Sequence, residues 1–229
     1  MKYKGQLIAF SGIDGAGKST QINLLIHYFN KIGKKPVYLW CRPGYSPLFN
    51  MLKNFLRLIL GKRIPPSGPS EQREKMINKY WIRNIWVSVA LFDLALFYGI
   101  YVRLLVFSGK TIVADRYLWD SWIDFKLNFP EINISKRPLW KFVQWIAFKP
   151  DKTFLLLIPV KESLKRSIQK NEPFPDNEHR LRKRLDFYQG LTRPNNCYLM
   201  DCMQPIKIVA DEINNILSNI TTTQSNYYM

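Results

Sequence analysis

The stretch Gly12-Ile13-Asp14-Gly15-Ala16-Gly17-Lys18-Ser19-Thr20 constrains this chain more than any other. It follows directly on the apolar run Leu7-Ile8-Ala9-Phe10 and has the spacing G-x-x-x-x-G-K-S of a loop that wraps a polyphosphate. Glycines are needed there because backbone N–H groups must turn inward on the anion, at φ values other residues resist and with no side chain in the way. Lys18 then reaches the outer phosphates, and the Ser19 hydroxyl is offered to Mg²⁺. Ile22, Leu24, Leu25, Ile26 and Phe29 follow near helical spacing, so the loop opens a helix whose N-terminal dipole adds to the anion site. Strand, loop and helix in that order predict binding of a nucleoside triphosphate. The expected binding set is Gly12, Asp14, Gly15, Ala16, Gly17, Lys18, Ser19 and Thr20.

At 229 residues the chain suffices for one large α/β domain and is short for two of average size, so a single domain over residues 1–220 is expected. Its three cysteines, Cys41, Cys197 and Cys202, include no C-x-x-C pair, and no secretion signal precedes the loop. A reducing, cytoplasmic setting is the expectation. The net charge of +17 asks for an anionic partner: a nucleotide, a nucleic acid or the anionic inner membrane surface. A nucleic-acid role rests on charge alone, since no nucleic-acid module accompanies it. His27 and His179 are isolated and show no metal-ligand or triad spacing.

Val37 to Cys41 reads as a second strand, stopped by the turn Arg42-Pro43-Gly44. Leu48 to Leu60 has an apolar helical face, read either as packed on the domain or as lying on a membrane surface. Gly61 to Ser70 reads as a loop. Ile85 to Val102 has the length of a membrane span, but a carboxylate at its centre, Asp93, costs about 3 kcal/mol on insertion scales. A buried helix, doubling as a dimer seam, therefore competes with membrane contact, and Asp93 becomes a candidate site residue. Thr111 to Tyr117 forms a strand ending in Asp115-Arg116. At the carboxyl end of a parallel strand, Asp115 can hold Mg²⁺ or its waters beside Ser19, and Arg116 can contact a phosphoryl group; a buried structural ion pair is the plainer alternative. After the strand Lys152 to Ile158, helices over about 161–170 and 178–191 flank the break Glu172-Pro173-Phe174-Pro175-Asp176 and carry Arg180, Arg182, Lys183 and Arg184. They read as a basic lid over about 161–191 that expels water. Cys197 to Met200 makes a fifth strand, Ile206 to Leu217 a last helix, and 221–229 a disordered tail. Five strands alternating with helices predict a doubly wound parallel sheet.

Phe10-Ser11-Gly12 through Thr20-Gln21, Asp115-Arg116-Tyr117, Pro150-Asp151-Lys152-Thr153-Phe154-Leu155-Leu156-Leu157 and Asp201-Cys202 together resemble the thymidylate kinase family of P-loop nucleoside monophosphate kinases, in the right order over nearly the whole chain. The resemblance implies transfer of the γ-phosphoryl of ATP to a nucleoside monophosphate with Mg²⁺, by a homodimer. It implies that Lys18 and Ser19 hold ATP and the metal, and that Asp14 lies near the acceptor sugar. Asp115 would organise the metal's waters, Arg116 would bridge donor and acceptor phosphates, and Arg166 would contact the adenine side. Arg180 and Arg182 stand as transition-state arginines. The acceptor half departs from the family pattern. Arg42 directly precedes Pro43, Leu94 beside Asp93 stands where the family has an arginine, Asp120 replaces a serine, and Asp124-Phe125 replaces a Tyr-Gln pair. Arg42, Asp93, Arg116, Asp120 and Asp124, with Asp14, form the expected acceptor set. Thymidylate is the best single named acceptor. A hydroxylated acceptor of surface-glycan metabolism is the alternative, as is a membrane-associated nucleotide-binding switch.

Overall fold

The computed structural model describes residues 5–44, 46, 49, 51, 79–170 and 176–225. Leu7, Ile8, Ala9 and Phe10 have no exposed surface, as a strand covered on both faces requires. They belong to β1 (Gln6–Gly12), the middle strand of a five-stranded sheet. α1 (Lys18–Lys31) follows the phosphate loop, and β2 (Val37–Trp40) is an edge strand with alternating half-buried and exposed side chains. Then come α2 (Tyr80–Leu94), a π-helical stretch Ala95–Tyr101 and α3 (Val102–Phe107), leading into β3 (Thr111–Asp115). α4 (Leu118–Asn128), a 3₁₀ turn Ile134–Lys136 and α5 (Pro138–Ile146) precede β4 (Lys152–Leu157). α6 (Val160–Gln169), α7 (Glu178–Gln189), β5 (Cys197–Asp201) and α8 (Ile206–Ser225) complete the chain. The sheet order is β2-β3-β1-β4-β5, and every pair is parallel. The expected α/β parallel architecture is the one found.

The chain groups into two compact units. The first, Met1–Trp40, Leu105–Ile123 and Lys149–Met229, holds the sheet. Ile22, Leu25 and Phe29 of α1 pack with Ile8, Phe10 and Ile13, and Val209 and Ile213 of α8 join the same core. Each such fully buried side chain contributes about 1.5–3 kcal/mol. Phe10 lies opposite Asp115 in the β1–β3 register, so the phosphate loop and Asp115-Arg116 leave the sheet side by side. The last helix runs to Ser225, past the Leu217 end expected.

The second unit, Cys41–Leu104 and Asp124–Phe148, is helical. The run Tyr80–Phe107 has the length and mean hydropathy, 1.9, to cross a membrane, with half of its most apolar window buried. Val87, Ala90, Leu91, Leu94 and Tyr98 are buried, whereas Trp81, Ile85, Phe92, Ile100 and Leu104 are exposed. Gly99 lets α5 approach closely, since a Cβ there would come within 2.8 Å of Ile146. The Arg103 guanidinium donates to the Ile146 carbonyl at 2.8 Å. The helix expected over Leu48–Leu60, apart from Phe49 and Met51, the loop Gly61–Ser70 and residues 172–175 of the helix break lie outside the described residues.

Candidate active site

The phosphate loop is shaped by three glycines at positive φ: Gly12 at 143°, Gly15 at 74° and Gly17 at 88°. A Cβ on Gly12 would lie 2.0 Å from the Leu156 carbonyl oxygen of the paired strand β4. On Gly15 it would meet the Ser163 carbonyl oxygen at 3.0 Å, because α6 presses on the loop there. Ser163 also donates its hydroxyl to the Asp14 carbonyl at 2.6 Å, tying the loop to that helix. Gly17 caps α1 without a side-chain acceptor, and the first turn of α1 holds no acidic residue. Its N–H groups and positive dipole end are thus left for an anion.

Lys18 is buried and folds back over the loop, donating to the Gly12 carbonyl at 2.9 Å and the Ile13 carbonyl at 2.8 Å, with Asp14 at 3.8 Å. Burial pushes its ammonium down to about 8; the Arg116 guanidinium adds to this, and Asp14, Asp115 and Asp120 oppose it. Ser19, on the first turn of α1, is exposed.

At the end of β3, Asp115 is buried and accepts a hydrogen bond from the Tyr38 hydroxyl at 3.1 Å through Oδ2. Burial first, then the Asp115 charge, pushes the Tyr38 phenol up to about 12. Asp115 Oδ1 is buried with no hydrogen-bond partner among the described residues. That orphaned acceptor, with the accessible Ser19 hydroxyl, is a donor set of hard oxygens that fits Mg²⁺.

Arg116 is the one non-glycine at positive φ among the described residues, at 76°. A non-glycine there costs about 1–2 kcal/mol, and the turn is held by its N–H donating to the Phe10 carbonyl at 2.9 Å. Its guanidinium pairs with Asp14 through Nη2 and lies 3.5 Å from Asp120 through Nη1. Asp120, expected on the acceptor, is instead surrounded by protein donors. Ser11 Oγ lies at 2.6 Å, the Tyr117 N–H at 3.0 Å and the Tyr188 hydroxyl at 2.6 Å. Thus Asp14, Lys18, Arg116 and Asp120 are brought into one polar cluster.

On the other side of the loop, Arg166 pairs with Glu162 at 2.7 Å and donates to the Cys202 carbonyl at 3.2 Å and 3.3 Å. It borders a cavity of about 340 Å³ lined also by Gly15, Thr20, Cys202, Gln204 and Ile206. Arg180 pairs with Asp176 at 2.8 Å, and Arg182 is exposed beside Glu178 at 3.1 Å. Arg184 of the same helix is buried against Asp176 at 3.1 Å. In the second unit, Arg42 lies 3.7 Å from Asp124, and the buried Asp93 accepts a hydrogen bond from Ser46.

Ser11, Tyr38, Ser163 and Tyr188 were not singled out as site residues in the sequence. Ser11 stood inside the recognised motif, directly before Gly12, and could have been found there. Tyr188 had no local signal, being 68 residues from the carboxylate it binds.

No family model matches the chain. It is similar to a thymidylate kinase of Wolbachia pipientis, 32% identical over 181 residues that cover 77% of each chain. A thymidylate kinase of Ehrlichia chaffeensis is 28% identical over 84% of this chain and 86% of its own. One of Prochlorococcus marinus is 25% identical over 94% of each.

Proposed function

Because this chain belongs to the thymidylate kinase family, we propose that it transfers the γ-phosphoryl group of ATP to the phosphate of thymidylate. The observation that carries this reading is the polar cluster at the mouth of the phosphate loop, where Lys18 and Arg116 converge on Asp14. An acceptor phosphate oxygen attacks the γ-phosphorus in line; that P–O bond forms as the bond to the β-bridging oxygen breaks, and ADP departs with the electron pair. Such a transfer needs positioning and charge neutralisation rather than covalent help from the protein.

In this reading the loop N–H groups and Lys18 hold the outer phosphates. Ser19 and Asp115 would hold Mg²⁺, which when bound neutralises charge on the transferring phosphoryl group. Arg116 spans donor and acceptor phosphates, exchanging an Asp14 contact for a phosphate oxygen. Arg166 and its cavity take the adenine side. Arg180 and Arg182 are assigned to the transferring group and would exchange their carboxylate partners for it. Arg42, paired with Asp124, is the acceptor-side cation. Both oxygens of Asp120 accept hydrogen bonds from protein donors, so it does not need a substrate hydroxyl, which supports thymidylate over a hydroxylated acceptor. The glycan-acceptor and membrane-switch readings gain no support from the relatives. Three free cysteines suit a cytoplasmic setting. We further infer a homodimer, supported by the exposed apolar residues along Tyr80–Leu104.

The test is coupled ADP release with ATP and Mg²⁺ against thymidylate, other nucleoside monophosphates, nucleosides and sugars, with Lys18→Ala as control. Turnover should be highest on thymidylate and fall by about 10³-fold or more in Lys18→Ala. Near-full turnover by that variant would reject the role of Lys18, and turnover on a sugar but no nucleotide would reject the acceptor.

A further inference from the structure

Asp120, in the first turn of α4 and four residues past Arg116, has 1% of its surface exposed. A carboxylate that deep is tolerated only when paired and hydrogen-bonded, and its partners divide in an informative way. Oδ2 is anchored from the sheet side, by the Ser11 hydroxyl at the end of β1 and by the Tyr117 N–H. Oδ1 accepts a hydrogen bond at 2.6 Å from the hydroxyl of Tyr188, which lies in the last turn of α7 and is itself fully buried, and forms an ion pair at 3.5 Å with the Arg116 guanidinium.

We propose that Asp120 is a positioning residue for Arg116, and that Tyr188, acting through it, ties the Arg116 guanidinium to helix α7. Arg116 is held between two carboxylates of different accessibility, Asp14 at 19% and Asp120 at 1%. An arriving phosphate therefore competes with Asp14, which can turn out to water, and leaves the Asp120 contact in place. Asp120 keeps one face of the guanidinium fixed while the other face changes partner. With Oδ2 pinned by two donors, the remaining freedom of the carboxylate is set by what holds Oδ1, and that is Tyr188. Burial, then the Asp120 charge, raises the Tyr188 phenol well above its ordinary range, so it remains a donor at any working pH. The docking of α7 does not depend on this tie alone, since Trp122 of α4 meets Phe187 edge to face at 5.5 Å. The inference rests on the assignment of Arg116 to the transferring phosphates.

The test uses the full chain labelled with guanidino-¹⁵N arginine, with Arg116 assigned by its loss in Arg116→Lys. In the native protein its Nη resonances should be resolved by hindered rotation. They should broaden or merge in Asp120→Asn, and also in Tyr188→Phe, which removes the hydroxyl that holds Asp120 Oδ1. In steady-state kinetics each variant should lose about tenfold in kcat with KM for ATP held within about twofold, and the double variant should be little worse than the poorer single one. Tyr188→Phe keeps the buried ring and carries the test alone if Asp120→Asn does not fold. Unchanged Arg116 resonances in folded Tyr188→Phe, an unaffected kcat in active enzyme, or losses that multiply in the double variant would overturn the proposal. Absence of nucleotide kinase activity in the native chain would strike the function proposed above, while the resonances would still decide whether the tie exists.

Discussion

At the scale of single residues, Lys18 shows how placement alters chemistry. Its burial lowers its pKa from 10.5 to about 8. Between those values the unfolded chain binds a proton that the native state has lost, so this residue's contribution to stability rises with pH through that window. Below about pH 8 the full cost of its buried charge is present. A bound polyphosphate favours the charged form, so ATP binding at a pH between about 8 and 9 should take up a proton. Calorimetry in buffers of different ionisation enthalpy measures this directly, and binding heats that do not vary with buffer would place Lys18 away from the phosphates. Lys18, Asp115 and Arg116 were legible because motif and strand end announce them. The partners of Asp93 and Asp120 were not, because a carboxylate in a sequence carries no sign of which hydroxyls will surround it.

At the scale of elements, the phosphate loop works because β1 and β4 pass close enough to exclude any side chain at its first residue. In Gly12→Ala the new methyl would have to displace the Leu156 carbonyl of a paired strand, so a loss of more than about 3 kcal/mol, or failure to fold, is expected. In Gly17→Ala nothing lies within 4 Å, and only the left-handed backbone resists, so the loss should be about 1–2 kcal/mol. Urea unfolding of the two variants compares them, and equal losses would contradict the packing argument. The five strands and the helices α1, α6, α7 and α8 were readable from periodicity and breakers. α4 and α5 were not singled out, although their residues Trp122, Phe125, Trp140, Phe142 and Trp145 include both buried and exposed aromatics.

At the scale of the whole molecule, the proposed homodimer would be carried by the run Tyr80–Phe107. Trp81, Ile85, Phe92 and Leu104 are each more than half exposed, more apolar surface than a lone soluble chain with a net charge of +17 would be expected to leave uncovered along one helical run. Sedimentation equilibrium should give the mass of two chains, and Phe92→Lys should shift it towards one; a single-chain mass for the unsubstituted protein would contradict the dimer.

What the sequence determined by itself was local: backbone geometry demanded by Gly12, Gly15 and Gly17, the strand-helix alternation, and the charged pair at the end of β3. Each is written within a few adjacent residues, because φ preference and side-chain period act over that range. What the tertiary structure decided was which polar groups meet. Ser11 and Tyr188 reach Asp120 across 109 and 68 residues, and Arg116 reaches Asp14 across 102. Such contacts depend on the order in which parallel strands assemble and on the burial that makes an unpaired carboxylate untenable, and neither is encoded at the positions where the partners stand.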